Sequence, residues 1–93
     1  MSDQRNAQMD IPIQFKSTLR SLRVKFRYTQ EGAASLFGVS VPTLREWEKD
    51  STSMPYDKVK KAEEIYGISD DYIFLGNEVA FSELLRKQIS LSA

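Results

Sequence analysis

The chain has 93 residues, with 13 Lys and Arg against 13 Asp and Glu, and contains neither cysteine nor histidine. That length suits one domain with one core, and the missing residue types exclude disulfide frameworks and thiolate metal sites and remove the commonest general base, which points away from catalysis, metals and cofactors. No window is long and apolar enough for a membrane span and the N-terminus lacks a signal pattern, so the expectation is a cytoplasmic protein.

Residues 1–12 read as a flexible tail: the first ten are polar, without a hydrophobic period, and Arg5 is their only cation. From Ile13 to Arg27 the spacing of Phe15, Leu19, Leu22 and Phe26 predicts a helix with one apolar stripe, capped near Asp10 and with Pro12 in its first turn. Off that stripe lie Lys16, Arg20, Arg23, Lys25 and Arg27, in a stretch without an acid. Zero net charge weighs against nucleic acid as a partner, because phosphate binding usually demands a basic excess. The uneven distribution still allows a basic face, serving either as a solvated surface or as a backbone contact.

The next stretch, TQEGAASLFGVSVPTLREWEK, spans Thr29 to Lys49. Thr29 is suited to cap a short helix over Gln30 to Phe37, and Gly38 to end it in the left-handed conformation. Ser40 is suited to cap a second helix over Val41 to Lys49, with Pro42 in the first turn, where a missing amide hydrogen costs little. Ala33, Ala34 and Phe37 share one face of the first helix; Leu44 and Trp47 share one face of the second. Ala34 is small where crossing helices approach, and Val39 can plug the gap. Two helices joined so tightly have the layout of a helix-turn-helix. The outward face carries Val41, Pro42, Arg45, Glu46 and Lys49. Gly32 inside the first helix and the apolar Leu36, either an extra core residue or part of a partner surface, are the irregular positions.

Downstream, DSTSMP (Asp50 to Pro55) is a polar loop with no lysine, in which Ser51, Thr52 and Ser53 offer hydroxyls. Tyr56 to Tyr66 forms a fourth helix, with Tyr56, Val59, Ala62 and Ile65 or Tyr66 on one side and its lysines and glutamates elsewhere, most simply as a solvated face. Glu63 and Glu64 are no catalytic pair, since helical neighbours point about 100° apart and nothing suggests a small-molecule substrate pocket. Gly67 closes that helix. Ser69 caps a fifth, with Asp70 and Asp71 at its positive end and Tyr72 to Leu75 as its apolar turn. Asn77 caps a sixth, running to Ile89.

Thr29-Gln30-Glu31, Ala34, Gly38-Val39-Ser40, Thr43-Leu44 and Trp47-Glu48, followed by Met54-Pro55 and Gly67 to Ile73, resemble the DNA-binding domain shared by Cro, phage repressors and xenobiotic-response-element regulators. The similarity covers about Phe15 to Gly76. It implies an all-α, compact five-helix repressor-like bundle over residues 13–76, to which residues 77–93, read from helical spacing alone, add a sixth, C-terminal helix. It further implies a sequence-specific regulator of transcription, repressor-like and of phage or mobile-element type, that binds double-stranded DNA.

By that resemblance the helix over 41–49 lies in the major groove. Val41 and Pro42 would touch thymine methyls, Arg45 would read guanine, Glu46 would accept from cytosine or hold Arg45, and Thr43 would reach a base or a phosphate. Thr29, Gln30, Ser40, Lys49, Lys16, Arg20 and Lys58 are the expected phosphate contacts, Gln30 because a helix N-terminus favours anions. The resemblance also pairs Arg23 with Glu48 in a structural, two-pronged ion pair. Phe81, Leu84, Leu85 and Ile89 form an apolar stripe on the last helix. It either covers the domain's own core, closes a homodimer that reads two half-sites about 34–36 Å apart, or meets a protein partner. The rival to the DNA function is a protein-binding module of antitoxin or antirepressor kind.

Overall fold

A computed structural model describes residues 11–92, with side chains to residue 90. The expected tail therefore lies almost wholly outside the described residues, as does the cap expected at Asp10. Five α-helices follow in order: α1 (Leu19–Lys25), α2 (Gln30–Phe37), α3 (Val41–Lys49), α4 (Tyr56–Tyr66) and α5 (Glu78–Ser92). Single 3-10 turns occupy Ile13–Phe15 and Asp70–Tyr72. Extended pairing among the described residues is limited to two isolated bridges, Ser17 with Ile73 and Asp50 with Asn77.

The core gathers the inward faces of α1 to α4. Leu22, Phe37 and Leu44 are its largest fully buried side chains. Ala33 and Ala34 are buried where α2 meets α3, so their small size lets the two helices approach. Trp47, Met54, Val59, Ala62, Tyr66 and Ile73 complete the cluster, with Val39 and Val41 packed against it. Phe37 meets Trp47 edge-on, with ring centroids 6.0 Å apart. Tyr66 closes the far side against Phe26 and Phe37.

Two expectations about the flanks are corrected. The helix expected from Ile13 to Arg27 is broken. After its 3-10 turn the chain runs extended through Lys16 and Thr18, and α1 starts only at Leu19. Ser17 is committed elsewhere: its N–H donates to the Tyr72 carbonyl at 2.8 Å, and its carbonyl accepts from Phe74 N at 2.8 Å. Thr18 then caps α1, its Oγ1 accepting from Ser21 N at 3.1 Å. Phe15, expected in the core stripe, is left 63% exposed. At the other end α1 stops at Lys25, and Arg27 takes the left-handed conformation (φ 61°).

The second correction is the helix count, which is five and not six. The segment expected as the fifth helix makes one 3-10 turn. Ser69 Oγ accepts from Asp71 N, and Ile73 is already extended, because the residues on either side of it spend their backbone groups on Ser17. The C-terminal segment is thus the fifth α-helix. Asn77 Oδ1 accepts from Ala80 N at 3.0 Å to cap it. Gly76, just before, leaves no room for a side chain: a Cβ there would stand 2.9 Å from the Phe74 ring. Phe81 is buried against Phe74, ring centroids 4.8 Å apart, which seats α5 on the domain beside the first 3-10 turn.

Candidate nucleic-acid interface

The α2–turn–α3 unit is fixed by its own caps. Thr29 Oγ1 accepts from Gly32 N at 2.9 Å, pairing one of the amides that the first turn of α2 leaves free. Gly38, at φ 74°, ends α2, and Val39 N reaches back to the Ala34 carbonyl at 3.0 Å. Lys58 of α4 donates Nζ to the Phe37 carbonyl at 2.9 Å, placing a cation at the negative end of α2. Ser40 Oγ accepts from Thr43 N at 3.3 Å and shares a hydrogen bond with Thr43 Oγ1 at 3.0 Å.

This fixes how α3 faces. Leu44, Trp47 and Glu48 point inward, whereas Pro42, Arg45, Glu46 and Lys49 are exposed and Val41 and Thr43 half-buried. Arg45 does not stand free. Its Nε donates to Gln30 Oε1 at 3.0 Å, so the first residue of α2 holds a side chain from the middle of α3. Glu46 forms no ion pair with Arg45 among the described residues.

Arg23 and Glu48 tie α1 to α3. Arg23 Nε donates to Glu48 Oε2 at 2.6 Å. The contact is not the two-pronged carboxylate fork that was expected, for Nη1 turns to the Tyr28 carbonyl at 3.1 Å. Glu48 is 7% exposed, so its charge depends on this partner. The bond to Glu48 pushes the Arg23 guanidinium above its ordinary pKa, against the opposing effect of burial.

The sites expected to meet phosphate are spread unevenly. Gln30, Lys49 and Arg20 border, with Arg45, one hollow of about 570 Å³, which Glu46, Glu48 and Asp50 and, at the start of α5, Asn77 and Glu78 also line. From the sequence Asn77 was read only as a helix cap and Glu78 was given no role; nothing local marks residues so distant in the chain as neighbours of α3. Glu78 Oε1 is buried there with no hydrogen-bond partner among the described residues. Lys16 borders a different hollow, beside Asp70 and Asp71, and is not gathered with Arg20. Lys58 is on α4 and, having three donors, keeps two beyond its bond to Phe37.

The loop hydroxyls are mostly spoken for. Ser51 is 4% exposed and its Oγ accepts from Gly76 N at 2.9 Å, so it cannot grip a phosphate as the sequence suggested. Thr52 gives both its N–H and its hydroxyl to the Asp50 carboxylate, whose pKa is lowered chiefly by the Thr52 hydroxyl and next by its amide. Ser53 remains exposed.

The stripe on α5 divides. Phe81 is buried and Leu85 half-buried, while Leu84 and Ile89 are 47% and 60% exposed. No helix among the described residues is long and apolar enough to cross a membrane.

A family model described as helix-turn-helix matches residues 19–73, more than half of the chain. The match starts where α1 starts and ends at Ile73, the partner of Ser17. No curated protein matches the chain. With two capped helices crossing through Ala33 and Ala34, a glycine turn between them and the matched span covering both, the chain belongs to the Cro- and XRE-type helix-turn-helix family of DNA-binding transcription regulators.

Proposed function

We propose that the protein is a repressor-like regulator that reads a specific duplex sequence by laying α3 in the major groove. The observation that carries this reading is the outward face of α3, where Arg45 is exposed yet anchored at the start of α2. An anchored guanidinium on a groove helix suits two-pronged recognition of guanine. Val41, Pro42, Thr43 and Glu46 would complete the base-reading set. Thr29, Gln30, Ser40, Lys49, Arg20, Lys16 and Lys58 would fix register on phosphates. Residues 13–76 would be the DNA-binding domain. Residues 77–93 would supply a homodimer contact centred on Leu84 and Ile89, with Phe81 and Leu85 seating the helix. The resemblance to phage repressors supports a phage or mobile-element setting, in the cytoplasm.

A second reading, a protein-binding module of antitoxin or antirepressor kind, is favoured by zero net charge and by the 44% exposure of Leu36. The deciding experiment is binding to duplex DNA from around the protein's own gene, beside a scrambled duplex, at two salt concentrations. The expected outcome is preference for the native duplex, weakened modestly by salt and lost in Arg45→Ala. Equal, weak binding to both duplexes, unchanged in Arg45→Ala, would overturn the DNA reading in favour of the protein-binding one.

A further inference from the structure

We propose that Gln30 is a specificity-determining positioning residue, which selects guanine through Arg45. The inference rests on α3 being the base-reading helix. Arginine Nε–H is only a donor, so the Gln30 atom facing it at 3.0 Å must be the amide oxygen. This orientation has consequences at both ends of the contact.

On the arginine, Nε is occupied, and the donors left for DNA are the amino groups Nη1 and Nη2. A guanidinium presented end-on by these two groups matches O6 and N7 of guanine. An untethered arginine at the same exposed site would divide its time among bases and phosphates, and its preference would be diluted. On the glutamine, the oxygen is consumed and the amide nitrogen offers donors alone. Those donors suit a phosphate oxygen beside the N-terminus of α2. A single side chain thus couples register on the backbone to the aim of a base reader.

The anchor is fixed independently of DNA. Gln30 opens a helix held by the Thr29 cap, Arg45 rides a helix held by the Ser40 cap, and the two helices are locked by buried Ala33, Ala34 and Leu44. Glu46 cannot substitute, because adjacent residues on a helix diverge by about 100° and no ion pair joins it to Arg45.

Selection of bound duplexes from a random pool tests this and requires no operator sequence at the outset. The wild type, Gln30→Ala, Gln30→Glu, Arg45→Ala and the Gln30→Ala/Arg45→Ala double variant are compared by the base preferences they enrich. The wild type is expected to enrich a guanine at one position per half-site, and Arg45→Ala to lose it. Gln30→Ala should relax that guanine preference by about tenfold, part of the discrimination a two-pronged contact supplies, with other positions little changed. Gln30→Glu should keep the guanine, since a carboxylate also accepts from Nε, while binding all duplexes more weakly because it repels phosphate. The double variant should match Arg45→Ala in base preference. If Gln30→Ala keeps the full guanine preference and only weakens binding uniformly, Gln30 is a phosphate contact and the positioning role is overturned while base reading by α3 stands. If Arg45→Ala retains the wild-type motif, or the wild type enriches none, the base-reading assignment itself falls and this inference with it.

Discussion

The helix-turn-helix at residues 29–49 and the segments that flank it are built on different rules. In the helix-turn-helix, each boundary is set by a residue acting on its immediate neighbours: Thr29 on Gly32, Gly38 at positive φ, Ser40 on Thr43. In the flanks, boundaries are set by partners far away in the chain. Ser17 pairs with Ile73, and Ser51 with Gly76. The bridge between Asp50 and Asn77 likewise brings the start of α5 to the end of α3. Local chemistry thus shapes the helix-turn-helix, while long-range pairing decides how the rest of the chain supports it.

The sharpest break of this contrast is at the tie between the two regions. Removing Arg23 leaves the Glu48 carboxylate buried and alone. Arg23→Ala is therefore expected to cost about 3–5 kcal/mol in denaturant unfolding, the largest loss among these changes. A loss below about 1 kcal/mol, as for an exposed pair, would show that α1 and α3 are held by apolar packing alone.

Alkali probes the same junction from its aromatic side. Burial pushes the Tyr66 hydroxyl up to about 12 from an ordinary value of 10. Because the unfolded chain ionises first, the stability present below pH 10 falls between pH 10 and 12 and levels off above. A gap of two units is worth at most about 3 kcal/mol. Tyr66→Phe should remove this dependence in a stability profile from pH 9 to 12, and persistence of the fall would assign it to another group.

The smallest effects separate the two kinds of boundary. Ser40→Ala removes a local cap and should cost about 1 kcal/mol. Thr18→Ala removes the same kind of cap from α1, where the adjoining Ser17 bridge already fixes the chain, and should cost less, at the low end near 0.5 kcal/mol. Hydrogen exchange of the α1 and α3 first-turn amides, read beside global stability, distinguishes the two. Equal losses would mean that the flank depends on local capping as much as the helix-turn-helix does.

What was legible follows the same division. The bounds of α2, α3 and α4, and most of the facing of α3, could be read because capping, glycine at positive φ and helical periodicity act within a few residues; Val41, read as outward, instead packs against the core. The first segment misled because Phe15, Leu19, Leu22 and Phe26 keep helical spacing across a break that only Ser17's distant pairing creates. The Asp70 turn misled for the converse reason: a sound cap at Ser69 opens a segment whose next backbone groups are taken by Ser17. On α3 the residue types were visible, but not that Gln30, rather than Glu46, holds Arg45.

By itself the sequence determined the family, the helix-turn-helix and the identity of the side chains on its outer face, since these depend on chemistry between near neighbours. Only the tertiary structure decided where α1 begins, that the Asp70 segment is one turn, that α5 starts beside α3, and which partner holds Arg45. Each of these is a choice between competing hydrogen-bond partners, and one partner becomes available only when distant parts of the chain are brought together.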